Sequence, residues 1–541
     1  MADPDAVVIG SGPNGLVCAN LLADEGWDVL VLEAGPTPGG AVSSAGYLGP
    51  GFVADVCSAF YPLAAASPVV QALGLEHHGL RWRHAPTVLA HPTLDGRAAV
   101  LYRDVEATAD ALASFGRGDG DAWKRLWELW QQAGGPLVES LLGPFPPVRG
   151  AARLTARLGT AGTLRFARFA TMPVRRLAEE EFSGIGGPLL LFGGALHTDL
   201  SPESAGSSVF GWLLAMLGHE VGYPVPEGGA GQLAAAMVAR LESRGGRLRC
   251  ASPVARVVVR GGRAAGVVTA AGEEVHARRA VVADVAAPQL YGELIPAGEV
   301  PSQLRLDIGR FQWDYSTVKV DWALRAPVPW AAPEVSGAGT VHLSDSLDDM
   351  TQYCADIAMQ RVPARPFVLI GQMTTADPSR SPAGTEVLWA YTHVPRQVRG
   401  DAGGGEISGR WDGADREAMT ARIEATIERH APGFGALVTA RHEMFPGDLE
   451  AHDGNLVGGA VNGGTSALHQ QLVFRPVPGL GRAETPFRGL YLASSSAHPG
   501  GGVHGACGAN AARAAISAHT RLGRAVVSPL VRAAGKLARG Y

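Results

Sequence analysis

Near its start the sequence has the apolar run Ala6-Val-Val-Ile9, followed at once by Gly10-Ser-Gly-Pro-Asn-Gly15. Leu16 to Glu25 has the spacing of a helix, and Val29-Leu-Val-Leu32 is a second apolar run that ends in Glu33. A lone G-x-G-x-x-G is a weak signal, but this one lies between a strand and a helix, with an acid 18 residues after its last glycine. The segment therefore predicts a strand–helix–strand unit that binds a dinucleotide.

Each residue of this pattern has a physical role in holding a dinucleotide. Gly10 permits a tight turn, Gly12 lets the backbone approach a pyrophosphate, and Gly15 lets the helix pack closely on the strand. The helix N-terminus presents free N–H groups to the phosphates. Glu33 is placed to accept hydrogen bonds from ribose hydroxyl groups.

A glycine pair follows the acid, in Pro38-Gly39-Gly40-Ala41, and nicotinamide-binding domains do not usually have such a pair here. The pair therefore favours FAD over NAD. The spacing E-x-x-x-x-x-G-G resembles the extended dinucleotide motif of FAD-dependent amine oxidases and phytoene-desaturase-like proteins. Many relatives have Arg after the pair, whereas this chain has Ala41, so we expect the pyrophosphate to lack one cation and to rely on backbone donors.

Two later segments resemble the same superfamily. Pro226 to Asp284 predicts a glycine-led helix and then a β-meander, in which Val254 would offer its backbone to the adenine ring. Gly489 to Ala506 predicts a strand, a run of three glycines and the start of a helix that ends near His519. Such a run makes a pocket of N–H groups that stabilises negative charge on the N1/O2 side of a reduced flavin.

With Asn462-Gly-Gly-Thr465 and Phe474-Arg-Pro476 upstream, these segments resemble phytoene dehydrogenase-like proteins and the pyridine nucleotide-disulfide oxidoreductase domain-containing 2 group. The resemblance implies a Rossmann-like, doubly wound α/β FAD-binding domain with an interleaved α+β substrate domain. It also implies hydride transfer between a hydrophobic, isoprenoid- or carotenoid-like substrate and flavin N5, giving desaturation or a related isomerisation. Relatives often have an acid just before the glycines, where this chain has Ser494-Ser-Ser496.

These resemblances give expected boundaries and an expected set of cofactor contacts. FAD-binding segments are expected at 1–72, 222–300 and 478–541, the last with a basic tail, and substrate-domain parts at 73–221, mostly helical, and 301–477, mostly sheet. We expect noncovalent FAD to be held by these residues: Gly10, Gly12, Pro13, Asn14, Gly15, Glu33, Ala34, Gly39, Gly40, Ala41, Val254, Ser495, Gly502, Val503 and His504.

Three residues are candidates for a part in catalysis. The resemblance puts His498 and His504 beside the flavin. Lining the site is the first role expected of them, and a catalytic role is the second. Lys319 lies in a strand pattern and either reaches flavin N5 through a water, as amine-oxidase lysines do, or is a solvated strand residue. On the strand pattern Glu386 to Val394, a period of two puts Trp389, Tyr391 and His393 on one side, where they line a substrate cavity or belong to the core.

Two other functions remain open from the sequence. One is a flavin amine oxidase that releases peroxide and has an aromatic pair beside the flavin. The other is a flavin-retaining scaffold at a membrane, without turnover. No second G-x-G-x-x-G stands between a strand and a helix, so we expect electrons to pass to a quinone, to oxygen or back to the substrate.

Composition excludes several other classes of protein. Of 541 residues, 46% are hydrophobic and 18% charged, and the net charge is −5, which excludes a disordered chain and a generally basic nucleic-acid binder. Five separated cysteines form no C-x-x-C, so no metal site is expected. With no signal-peptide pattern, these features favour a reducing cytoplasm.

Basic segments predict peripheral contact with an anionic membrane surface at the inner leaflet. Residues 140–178 contain seven arginines and no acid, and Leu530 to Tyr541 has an apolar and a basic face if helical. The alternative is that these arginines pair with acids elsewhere in the fold.

Overall fold

The first sheet is five-stranded and entirely parallel, as a dinucleotide-binding domain requires. The computed structural model describes residues 3–520. Its apolar strands are buried on both faces, the environment that continuous apolar runs predict. In spatial order the strands are Leu490–Leu492, Ala280–Ala283, Ala6–Ile9, Val29–Leu32 and Arg247–Arg249. We call this the parallel sheet.

Different elements cover the two faces of the parallel sheet. Helices Pro13–Asp24, Gly231–Ser243 and Ala506–His519 pack on the face that presents Val8 and Val31. A three-stranded antiparallel meander packs on the other face, with strands Val254–Arg260, Arg263–Thr269 and Glu274–His276. This layered arrangement confirms the predicted α/β FAD-binding fold.

The second large sheet has seven strands, mostly antiparallel. One face packs on helix Gly413–His430, and the other faces a helical layer. In spatial order the strands are Val438–Met444, Ser316–Leu324, Glu386–Val394, Val368–Gln372, Ala338–Leu343, Thr87–Pro92 and Ala98–Leu101. We call it the seven-stranded sheet.

The helical layer lies between residues 105 and 220 and has an aromatic core that includes Trp123, Trp130 and Trp212. Gly159, with φ 65°, interrupts its third helix. Among residues 3–520, no helix combines the length and the apolarity that a membrane span requires. The helices are Val105–Ala113, Asp119–Leu142, Val148–Thr171, Val174–Glu181, Gly186–Ala195 and Ser207–Glu220.

Shorter elements connect these layers. The helices are Pro62–Ala66, Pro68–Ala72, Ala287–Gln289, Ser302–Ile308, Leu347–Ala358, Met373–Ala376 and Pro446–His452. Paired short strands are Ser44–Ala45 with Ala54–Asp55, Trp82–Arg83 with Val225–Pro226, and Arg361–Val362 with Gly400–Asp401.

Most of the arginines between residues 140 and 178 have partners inside the fold. Four of the seven form ion pairs, as expected if these arginines pair with acids of the fold and do not contact a membrane. The basic pattern from Leu530 to Tyr541 lies outside the described residues. The pairs are Arg153 with Glu139, Arg168 with Glu180, Arg175 with Glu203, and Arg176 with Glu179 and Glu180.

Candidate functional site

The first glycine turn leaves no room for side chains. Gly10 has φ 91°, and a Cβ there would lie 2.8 Å from the carbonyl oxygen of Asp284. A Cβ at Gly12 would lie 2.9 Å from Asp284 Oδ2, and one at Gly15 would overlap the carbonyl oxygen of Gly10. The helix begins at Pro13, three residues before the predicted start, because proline suits the first helical position.

Glu33 ties the second strand to this turn. Its Oε2 accepts hydrogen bonds from Ser11 N at 2.8 Å and Ser11 Oγ at 2.6 Å, and its Oε1 accepts from Gly35 N at 2.8 Å. Ser252 N donates to the carbonyl oxygen of Glu33 at 2.8 Å, which brings Val254 close to the end of the same strand. Ala34, next to Glu33, is exposed.

The glycine pair lies against the first glycine turn. Gly39 and Gly40 have φ 117° and 53°, in the left-handed region that favours glycine. Gly39 N donates to Ser11 O at 3.1 Å, and a Cβ at Gly40 would lie 3.6 Å from Gly12 Cα and 2.9 Å from Asp453 Oδ2. Ala41 follows, partly exposed, without a cationic side chain.

The carboxyl-terminal glycines, Gly500 to Gly502, precede a helix that packs on the first helix, although the two lie at opposite ends of the sequence. The helix after them, Ala506–His519, packs so tightly on the first helix that a Cβ at Gly508 would overlap Asn14 O. Gly508 N donates to Asn14 Oδ1 at 3.4 Å. A Cβ at Gly502 would lie 2.8 Å from Leu63, so an apolar side chain borders this turn.

His504 is buried and holds the start of that helix. Its Nδ1 accepts a hydrogen bond from Ala506 N at 3.0 Å, and its carbonyl oxygen accepts from Ser67 Oγ at 2.7 Å. Burial lowers the pKa of His504 to about 4, although hydrogen bonds to the backbone of Gly501 and Gly500 raise it in part. The ring is therefore neutral near pH 7 and positions the glycine turn.

His498 is also engaged by the fold. Its Nε2 lies 3.2 Å from the carbonyl oxygen of Gly143, just after helix Asp119–Leu142, and Phe145 packs edge-on against its ring. Burial lowers its pKa to about 4. Its Nδ1 is buried without a hydrogen-bond partner. His498 thus joins the helical layer to the segment that carries the glycines.

Ser495 belongs to a cluster organised by Arg475, to which the sequence assigned no role. Arg475 is fully buried, and its guanidinium donates to the carbonyl oxygens of two loops, those of Asn462-Gly-Gly-Thr465 and Ser495. A Cβ at Gly500 would lie 3.1 Å from the Arg475 guanidinium carbon. The bonds run to Ser495 O at 2.8 and 3.0 Å, Thr465 O at 2.8 Å, Asn462 O at 3.0 Å, Gly463 O at 3.1 Å and Gly464 O at 3.4 Å.

Lys319 is buried, so its interpretation as a solvated strand residue is wrong. Its Nζ forms an ion pair with Asp321, and Tyr47 Oη donates to Asp321 Oδ2 at 2.9 Å. The positive charge of Lys319 is close enough to Cys57 to oppose the rise that burial causes in the pKa of its thiol. The next residue, Ser58, donates from Oγ to Ala41 O at 3.0 Å. Lys319 therefore lies where the seven-stranded sheet meets the segment of the glycine pair.

Trp389, Tyr391 and His393 share one face of the seven-stranded sheet, as the period of two predicts. They lie opposite Asp321, Lys319 and Thr317 on the neighbouring strand. The rings of Trp389 and Tyr391 stack at 5.6 Å between centroids. Trp389 and His393 are buried and Tyr391 is partly exposed.

Sequence reasoning missed the histidines next to this face. Tyr391 Oη lies 3.4 Å from His197 Nδ1, and His197 Nε2 lies 3.0 Å from His342 Nε2. Burial lowers the pKa of both histidines, that of His197 to about 4, so this cluster is uncharged near pH 7. The two residues are 145 positions apart, and no local motif connects them.

The acidic residues around the glycine turns were also missed. Asp284 and Asp453 both lie against glycines of the first turn or the glycine pair. Burial, together with the carboxylates of Asp453 and Glu33, raises the pKa of Asp284 to about 7. Among residues 3–520, no group of three or more His, Cys, Asp or Glu side chains is placed to hold a metal ion.

The residues present fit FAD. Gly12 leaves the backbone at the start of the helix without a side chain, as the approach of a pyrophosphate requires, and Gly15 lets that helix pack on the first strand, since a Cβ there would overlap Gly10 O. The pyrophosphate would lie on the start of helix Pro13–Asp24, the ribose by Glu33, and the flavin between the glycine pair and the carboxyl-terminal glycines. These segments are remote in sequence and adjacent in space.

Comparisons with known proteins agree with this arrangement. Residues 14–284 match the family model described as flavin containing amine oxidoreductase. The chain is 30% identical to rat (Rattus norvegicus) pyridine nucleotide-disulfide oxidoreductase domain-containing protein 2, over 94% of this chain and 92% of the relative. It is 27% identical to hydroxyneurosporene desaturase of Rubrivivax gelatinosus, over 93% and 92%.

Solved structures share the fold at low sequence identity. An oxidoreductase from Methanosarcina mazei superposes with a TM-score of 0.60 at 16% identity, covering 94% of this chain and 99% of the other. This similarity supports the architecture of the two sheets and the helical layer.

Proposed function

Because the chain belongs to the flavin-containing amine oxidoreductase family and is an FAD-dependent oxidoreductase, we propose that it oxidises a hydrophobic, isoprenoid-like molecule. The proposed reaction is a desaturation, which removes two hydrogens, or a related isomerisation, in which the hydrogens taken by the cofactor return to the substrate, as in phytoene dehydrogenase-like enzymes. The desaturase relative in Rubrivivax gelatinosus supports this substrate class. Bound FAD supplies the redox chemistry by accepting two electrons and a proton from the substrate.

One observation carries the proposal for an apolar substrate. Leu63 borders Gly502 and packs, with Phe60, on the same apolar cluster as Tyr391. That cluster continues into the helical layer through Leu191 and other buried side chains. Gly502 therefore has an apolar neighbour on the side of the helical layer, which suits a hydrocarbon and helps to exclude water there, whereas Gly500 and Gly501 lie against Arg475 and Asn462.

The side chains have distinct parts in this proposal. Tyr391 and Trp389 would pack against the substrate, while the N–H groups after Gly502 would stabilise negative charge on the cofactor. His504 and His498 would position the surrounding loops, since each has a partner in the fold and a low pKa. A delocalised substrate cation loses its proton readily, so neither histidine needs to act as a base.

The amine-oxidase alternative requires two aromatic rings that face each other across a gap as wide as a substrate. Trp389 and Tyr391 instead stack directly on each other, 21° from parallel. This contact removes Trp389 and Tyr391 as candidates for such a pair.

Anaerobic mixing of the purified protein with polyenes and with amines tests the proposal. We expect a polyene to bleach the flavin absorbance and amines to leave it unchanged. Bleaching by amines, with peroxide on admitting air, would support the amine oxidase. A flavin that no substrate bleaches would support the scaffold.

We also propose that a quinone or oxygen accepts the electrons from the reduced flavin.

A separate proposal is that the protein makes peripheral contact with an anionic membrane. The arginine-rich pattern of residues 140–178 supports such contact only through the arginines outside the ion pairs given above, such as Arg149 and Arg165. Sedimentation with anionic vesicles tests it. Binding should weaken with salt and fall on deletion of residues 526–541, and equal recovery in the supernatant with and without vesicles would refute it.

A further inference from the structure

Asp284 lies where an anion is expected to bind. It follows strand Ala280–Ala283, and its Oδ2 accepts a hydrogen bond from Gly15 N at 2.7 Å, at the start of helix Pro13–Asp24. A Cβ at Gly12 or at Gly15 would lie 2.9 Å from the same oxygen. A buried carboxyl group therefore accepts from one of the N–H groups that this helix offers, and it lies against Gly12, the glycine that lets the backbone approach a pyrophosphate.

The charged groups that face Asp284 from neighbouring elements are acidic. They are Glu33, after strand Val29–Leu32, and Asp453, after helix Pro446–His452. Two thiols also interact with it, Cys18 and Cys507 of the flanking helices, and burial raises the pKa of each so that both stay protonated. Ala41, directly after the glycine pair, adds no cation.

A dinucleotide would bring two more negative charges to this place. An ionised Asp284 would repel them at short range in a buried environment, where charges interact strongly. An uncharged acid would keep the bond from Gly15 N and would also have an O–H group to donate. Burial already raises the pKa of Asp284 to about 7, and a pyrophosphate beside it would raise that pKa further.

We propose that Asp284 is a further cofactor-binding residue, which stays uncharged while FAD is bound, so that FAD binding takes up one proton from solvent. The inference rests on the placement of FAD described above. It predicts that the affinity for FAD falls as the pH rises, since the carboxyl group of the free protein must then be reprotonated.

Dilution of the purified holoprotein tests this inference. The fluorescence of released FAD gives its dissociation constant at each pH from 6 to 9. In the wild-type protein the constant should rise by about tenfold per pH unit above pH 7.5. In Asp284→Asn, which is neutral at every pH and can still accept from Gly15 N, it should change less than about threefold over the range.

Asp453→Asn is the matched control, because it removes a partly buried acid that lies against the neighbouring glycine pair. That variant should keep a rising dissociation constant, and in the free protein Asp284 should ionise at lower pH, since a neighbouring negative charge that raises its pKa is gone. The rise should therefore begin at lower pH than in the wild-type protein.

Loss of the pH dependence in Asp453→Asn but not in Asp284→Asn would overturn the inference. So would a pH-independent constant in the wild-type protein. Failure of the wild-type protein to bind FAD at any pH would overturn the placement of the cofactor as well.

Discussion

The buried pair of Lys319 and Asp321 offers the sharpest test of the packing between the seven-stranded sheet and the segment of the glycine pair. Their side chains are 3% and 0% exposed, and Asp321 Oδ1 has no hydrogen-bond partner. Removing one member of a buried pair leaves an uncompensated charge, so Lys319→Met and Asp321→Asn should each lower the free energy of unfolding by about 3–5 kcal/mol. The double variant removes both charges, and the amide oxygen introduced by Asp321→Asn can still accept the hydrogen bond from Tyr47.

The double variant should therefore be more stable than either single variant, with a coupling of at least about 2 kcal/mol. The deficit of Lys319→Met should also depend on pH. Burial raises the folded-state pKa of Asp321 above its unfolded value, and loss of Lys319 raises it further. The resulting destabilisation is absent below the unfolded pKa and grows as the pH rises towards the folded pKa, so it should be larger at pH 8 than at pH 5.

Urea unfolding followed by tryptophan fluorescence measures these differences, and the rate of flavin reduction provides a separate readout. If Lys319 also acts on the cofactor, the double variant recovers stability without recovering the rate. Arg441→Met is the control, since this partly exposed arginine on the adjacent strand should cost below about 1 kcal/mol. Single variants within about 1 kcal/mol of the wild-type protein would refute the reasoning.

Two other substitutions test the cofactor site. Gly12→Val would place a side chain against Asp284 and in the path of the pyrophosphate, so the purified variant should lack flavin absorbance, and a fully loaded variant would contradict the site. Arg475→Met would leave the carbonyl oxygens of two loops without their donor, and we expect a loss of about 3–5 kcal/mol in urea unfolding together with weaker FAD retention. Arg410→Met, in which an exposed arginine paired with Asp412 is replaced, should change neither measurement appreciably.

Local pattern was sufficient for the elements that carry the fold. Strand Glu386–Val394 occupies the predicted residues, Lys319 lies in a strand as predicted, and the last helix ends at the predicted residue, His519. These segments have strong periodicity and clear glycine boundaries, and each signal lies within a few residues. The first helix begins earlier than predicted because the apolar pattern starts at Leu16, whereas Pro13 sets the first turn.

Long-range contacts were beyond the reach of the sequence. Asp284 meets Gly15 across 269 positions, and the pattern Phe474-Arg-Pro476 does not indicate that Arg475 is buried and donates to the carbonyl oxygens of two loops. The same limit applies to Lys319, because its burial depends on Asp321, on Tyr47 and on the segment around Cys57. The sequence alone does not show whether a charged side chain such as Lys319 is buried, because its burial depends on a partner that is found only in the fold.

Two features of the expected pyrophosphate site, Ala41 and the acidic surroundings of Asp284, belong together. An arginine after the glycine pair would lie next to Asp453, whose pKa burial raises and a hydrogen bond from the backbone of Ala41 lowers. Such a cation would offset both carboxyl groups and the phosphates, and Asp284 could then remain ionised. Without it, the same glycine cradle holds an anion beside buried acids, and a proton is the simplest compensating charge. FAD retention in this chain is therefore expected to depend on residues outside the glycine motifs that identify the site.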